Sequence, residues 1–104
     1  MPNAQRGEIS AVLDGEQRVL CLTLGALAEL EARLGAGDFV GLSERFAAGR
    51  VSARDLTAII GAGLRGGGTA ISDDDLARMA IEGGLRGAAE IAAKLLRATF
   101  EGEA

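Results

Sequence analysis

Gly61-Ala62-Gly63-Leu64-Arg65-Gly66 spells G-x-G-x-x-G, the pattern with which many proteins hold a dinucleotide. Glu82 follows at roughly the twenty-residue distance where an acid would meet a ribose. That chemistry needs the glycines between a strand and a helix, so that helix N–H groups face the pyrophosphate. Here the apolar spacing places them at the end of a helix, and no second parallel strand follows. The expected role is close packing, with Gly63 on the apolar stripe letting a neighbouring backbone approach. Asp73-Asp74-Asp75 could suggest a divalent cation. A calcium loop starting at Asp73 would want glycine at its sixth position and a bidentate acid at its twelfth, where this chain has Arg78 and Gly84. Ser72 followed by acids instead reads as the start of a helix, where carboxylates meet the positive end of the dipole. Cys21, the one cysteine, lies in Val19-Leu20-Cys21-Leu22 and reads as a buried structural thiol.

What is missing narrows the chemistry further. The chain has no His, Trp or Tyr. Ser10, Ser43, Ser52 and Ser72 therefore have no imidazole to activate them, and Lys94 sits in an Ala-rich helical stretch. Glu29 with Glu31, and Glu101 with Glu103, stand two apart, a spacing that does not bring helical side chains together. One cysteine allows neither an intrachain disulfide nor a thiolate zinc cluster. The expectation is a protein that is not an enzyme, with no catalytic residue, no cofactor site and no metal site. Net charge is −4 with a pI near 4.8, and three Phe supply few stacking surfaces, so no nucleic-acid partner is expected. Ten of the eleven basic residues are arginines interleaved with acids rather than gathered in a patch. No apolar run is long enough to cross a bilayer, and Met1 to Glu8 lacks the apolar core of a signal peptide. No membrane partner and a cytoplasmic location follow as expectations.

The elements that must position these residues can be read from periodicity. One domain is expected over 1–104, with a loose leader at 1–6, a β-hairpin at 7–23 and a helical part at 24–100. Ile9, Ala11 and Leu13 alternate with Ser10 and Val12, and Asp14-Gly15 is a strong hairpin turn. Arg18 to Thr23 supplies the return strand. A two-residue loop pairs Ile9 with Leu20 and a four-residue loop pairs it with Leu22; both keep the apolar side chains on one face. Thr23 can cap a helix from Leu24 to Leu34 with Leu24, Leu27, Leu30 and Leu34 as its stripe and Glu29 four residues before Arg33. Gly35-Ala36-Gly37 ends it. Asp38 can cap a second short helix, with Phe39, Leu42 and Phe46 on one face, closed by Gly49. Ser52 with Asp55 resembles a capping box ahead of Leu56, Ile59, Ile60, Gly63 and Leu64. Gly66-Gly67-Gly68 breaks that helix, Ser72 opens the next, and Gly83-Gly84 breaks again. A final helix runs from about Leu85 to Phe100 with Leu85, Ala88, Ala92, Leu95 and Leu96 inward. The fold class is α+β, mostly α: an N-terminal β-hairpin packed on a bundle of four or five short helices.

Leu22-Thr23-Leu24-Gly25-Ala26-Leu27-Ala28-Glu29-Leu30-Glu31 resembles the gene transfer agent family of small proteins, related to tailed-phage tail-assembly chaperones and sometimes labelled tail tube proteins. Arg6-Gly7-Glu8, Leu42-Ser43-Glu44-Arg45-Phe46, Ser52-Ala53-Arg54-Asp55, the Gly61–Gly66 run and Glu82-Gly83-Gly84 extend the likeness along nearly the whole chain. The resemblance implies a part in building a phage-like tail in the producing bacterial cell. It implies a tail-assembly chaperone that binds the tape measure protein, a long helical rod, and short amphipathic helices are suited to offer such a rod a groove. The alternative is a structural subunit of the tail tube or a tail joint, retained in the particle with other tail proteins as partners. A homo-oligomer is plausible for a protein that coats a repeating rod. The family carries no catalytic signature to transfer, partner-binding residues are not assigned, and Phe100 reads equally as core or as partner-facing.

Overall fold

A computed structural model describes residues 7–34, 44–45 and 48–101. The expected leader at 1–6, the end of the first helix at Gly35–Gly37 and the helix expected from Asp38, with Phe39, Leu42 and Phe46, lie outside the described residues. Strands β1 (Glu8–Leu13) and β2 (Glu16–Cys21) form an antiparallel hairpin. Asp14 and Gly15 both have positive φ, 55° and 80°, the backbone that a type I′ turn demands. The two-residue loop is thus the one adopted, and Ile9 pairs with Leu20. The return strand consequently begins at Glu16, earlier than expected, and ends at Cys21 before the Thr23 cap.

Four helices follow among the described residues: α1 (Leu24–Leu34), α2 (Ala53–Gly66), α3 (Asp73–Ala77) and α4 (Gly84–Glu101). Their starts have side-chain causes. The Thr23 hydroxyl accepts from the Ala26 N–H at 3.0 Å. At α2, Ser52 Oγ accepts from the Asp55 N–H at 3.0 Å while the Asp55 carboxylate accepts from the Ser52 N–H at 3.3 Å, a complete capping box. Ser72 caps α3 through the Asp75 N–H at 3.1 Å. Gly49, with φ +75° and the Arg50 N–H donating to the Arg45 carbonyl at 2.8 Å, ends a helical turn as expected of it.

Helix α2 is the centre of the molecule, packed against β2, α1, α3 and α4, while α4 also lies along β1. The core joins Leu13 and Leu20 of the hairpin to Leu30, Ile59, Ile60, Leu64 and Leu95, all with almost no exposure. Hairpin and helices therefore share one apolar interior, which is what makes a two-stranded sheet stable.

Three local expectations are corrected. Leu24 is 85% exposed rather than inward. The buried line of α1 is Ala26 and Leu30 with Leu27 beside it, and at about 100° per residue Leu24 lies well round the helix from the centre of that arc. Leu85 is 67% exposed because it stands in the first turn of α4, beyond the edge of the core that Ala88, Ala92, Leu95 and Leu96 enter. The local Glu29–Arg33 pair gives way to tertiary partners: Glu29 pairs with Arg65 on α2, and Arg33 with Asp73 on α3.

Candidate interaction surface

The glycine pattern is spent on packing. It occupies the carbonyl end of α2, where the dipole repels phosphate. The N–H groups just beyond it are already used: Gly67 donates to the Gly63 and Leu64 carbonyls at 2.9 and 3.1 Å, and Thr69 to Leu64 at 2.8 Å. Each glycine of the motif instead makes room for a neighbour. A methyl on Gly61 would strike the Asp73 carboxylate, and one on Gly63 would stand 2.6 Å from Leu95 and 3.3 Å from Leu20. At Gly66 and Gly67 a methyl would run into the main-chain carbonyls of Cys21 and Val19. The close backbone approach expected at Gly63 thus occurs three and four residues later, where β2 crosses the end of α2.

The acidic run is divided between capping and ion pairing. Arg65 donates to the Ile71 carbonyl and to Asp73 Oδ1, both at 3.0 Å, and pairs through its other nitrogen with Glu29. Asp73 also pairs with Arg33, so Glu29, Arg65, Asp73 and Arg33 form one chain of charges across α1, α2 and α3. The space above Gly61 admits this network. Asp55, 9% exposed, accepts from Arg45 at 2.8 Å in addition to its place in the capping box. Among the described residues no three His, Cys, Asp or Glu side chains gather closely enough to hold a metal ion.

The remaining candidates are placed as follows. Cys21 is half-buried, not fully buried, because strand alternation turns it away from the core that Leu20 and Leu22 enter. Burial pushes its thiol above the ordinary value, and the Glu8 carboxylate opposite it in the ladder adds to the rise. The Ser10 hydroxyl accepts from Gln17 at 3.3 Å. Ser52 and Ser72 are caps, Ser43 lies outside the described residues, and Phe100 is 48% exposed at the end of α4. No described helix is long and apolar enough to cross a membrane.

Among the described residues the fold also leaves four large apolar side chains exposed: Val12, Leu24, Leu85 and Phe100. Leu85 overhangs a groove of about 250 Å³ whose walls include Leu56 and Ile60 of α2, Leu76 of α3, Met79 and Ile81. On its other side Leu85 and Leu56 border a second, wider groove with Val51, Ala89 and Ala93. Leu85 is thus an exposed ridge between two depressions, a shape suited to contact with another polypeptide. Sequence periodicity assigned it to the core because its angle on α4 is inward; its position directly after Gly83-Gly84, at the very start of the helix, is the signal that it projects past the core.

The family model described as phage tail tube protein, GTA-gp10, matches residues 6–102. No curated protein and no solved structure matches the chain.

Proposed function

The chain belongs to the phage tail tube protein family typified by GTA-gp10, and on that premise we propose that it is a non-enzymatic structural subunit of a phage-like tail, retained in the particle through contacts with other tail proteins. The observation that carries this reading is the match of the family over residues 6–102, nearly the whole chain. The way the chain spends its reactive side chains supports it. Ser52 and Ser72 act as caps, the central arginine and acids hold helices together, and the chain has no histidine. The Leu85 ridge is the contact to test first, with an apolar side chain of a neighbouring tail protein as its occupant.

Quantitative mass spectrometry of purified particles tests the proposal. A retained subunit appears in a fixed ratio to the major tail protein from one preparation to the next. Absence from particles that are otherwise complete would overturn the reading.

A second reading is favoured by one structural observation. The described sheet has two strands against four helices, which is little sheet for the wall of a tube and suits a protein that covers the tape measure protein during assembly. A tail-assembly chaperone of that kind acts in the cytoplasm of the producing cell and leaves before completion. Co-expression with the tape measure protein then yields a complex that dissolves when tube protein is added, and the chain is scarce in finished particles.

A further inference from the structure

A hairpin has two outer edges, and here they are treated differently. The two-residue turn makes Leu13 and Glu16 the first hydrogen-bonded pair, so Ala11 with Arg18 and Ile9 with Leu20 also bond across the ladder. The residues between them, Ser10 and Val12 on β1 and Val19 and Cys21 on β2, direct their N–H and C=O groups outward. Two independent contacts agree with that parity. The carbonyls of Val19 and Cys21 are those that lie against Gly67 and Gly66, and the Asp14 N–H reaches outward to the Ala80 carbonyl at 2.8 Å.

The β2 edge is therefore closed by the end of α2. The β1 edge is closed only at its tip, where Ile81 forms an antiparallel bridge with Leu13. The chain begins a third strand there and abandons it at once. Gly83 and Gly84, both at positive φ (87° and 60°), turn it into α4. Among the described residues no backbone hydrogen bond reaches Ser10 from outside the hairpin. The strand also lacks the usual guards of an exposed edge: it contains no proline, no lysine and no bulge, and Val12 is 48% exposed. Beside it runs a groove of about 220 Å³ between β1 and α4, floored by Gly87 and Ile91 and rimmed by Glu82, Glu90 and Lys94.

We propose that this edge is a docking site for an extended segment of a partner protein, which pairs antiparallel to β1 and continues the line begun by Ala80–Glu82. Alternate side chains of the segment face the floor, where Ile91 offers apolar surface, so they are apolar. Glu82 and Glu90 are exposed and form no ion pair among the described residues. Among the described residues Lys94 is the one cation lining the groove against two carboxylates, so the rim is net acidic and calls for a Lys or Arg on the segment. A second copy of β1 is a poorer occupant, because it brings Glu8 to a rim that already carries two carboxylates. The proposal holds for either tail role and goes beyond both.

A synthetic peptide, Lys-Val-Thr-Val-Thr-Val, is the probe, titrated into the ¹⁵N-labelled full chain. Saturable binding with slowed amide exchange at Ser10 and Val12 is expected. Because the Ser10 N–H points out of the ladder, Ser10→Pro removes the donor and blocks the edge while leaving the hairpin bonds in place; it weakens binding at least tenfold. If Ser10→Pro melts well below the parent, a peptide N-methylated at alternate amides provides the same test on the unaltered protein and loses binding. Glu90→Lys weakens the lysine-bearing peptide more than a norleucine version. Lack of saturable binding, equal binding of the N-methylated peptide, or shifts that map away from β1 would each overturn the site. Concentration-dependent self-association that protects Ser10 and Val12 without peptide would overturn the choice of occupant in favour of a second copy.

Discussion

Cys21 shows how one side chain is tuned by its place in a strand. Desolvation, then the facing Glu8 carboxylate, hold its proton, so the thiol stays neutral at neutral pH. Alkylation by iodoacetamide is expected to follow a pH profile displaced above that of an exposed peptide thiol, and Glu8→Gln should return part of the displacement. An unshifted profile would contradict the assignment. The linkage has a definite sign: a folded thiol with a raised pKa stabilises the fold below the unfolded thiol pKa, and this contribution is lost as pH rises through the folded value. The glycines make a sharper contrast. Gly66→Ala and Gly67→Ala drive a methyl into main-chain carbonyls that cannot swing aside, and each should cost about 1–3 kcal/mol in urea unfolding. Gly25→Ala meets nothing closer than the Thr23 hydroxyl at 3.8 Å, and should stabilise α1 by about 0.5–1 kcal/mol. Equal effects at these positions would refute the packing account of the motif.

At the level of elements, caps and ion pairs differ in how local they are. Ser52→Ala opens the capping box and should lower stability by about 1 kcal/mol. Asp55→Ala should cost more, since it also leaves Arg45 without the carboxylate it holds at 2.8 Å. The charge chain is tertiary. A double-mutant cycle on Glu29 and Arg65 should show coupling of about 0.2–1 kcal/mol that shrinks with added salt, because both groups remain partly exposed. The same cycle on Glu29 and Arg33 should show none. Helix spacing alone made the second pair the natural one. Burial of Gly61 under Asp73 instead brings Arg65 within reach of two acids from other helices, and a guanidinium with several donors can serve both.

For the whole molecule the test is whether surface and core are correctly divided at Leu85. Leu85→Glu should change unfolding free energy by no more than about 0.5 kcal/mol, whereas Ile59→Ala at the fully buried centre should cost about 2–5 kcal/mol. If the ridge is the tail contact, Leu85→Glu lowers incorporation into particles while the purified chain melts as before. Much of the architecture could be read from the residues. Asp14-Gly15 marks a tight turn and both possible registers bury the same face, so the hairpin is written locally even though the structure chose its register. Ser52, Ser72 and Thr23 satisfy N–H groups within three residues, so the helix starts are written locally too. The apolar face of α2 follows from its 3.6-residue period. Family membership likewise follows from the order of short segments along the chain. What the sequence could not decide depends on where elements end relative to one another. Leu24 and Leu85 carry core-type side chains at helix starts, and only the assembled packing shows that nothing covers them. Arg65 pairs with Glu29 and Asp73 from two other helices, a choice that only tertiary distance makes. The edge of β1 is open because the chain leaves it at Gly83, a fact of path that no periodicity encodes. Local hydrogen bonds and turn geometry are short-range and survive in the sequence; burial, long-range pairing and exposed edges are properties of the ensemble of elements, and exist only once they are packed.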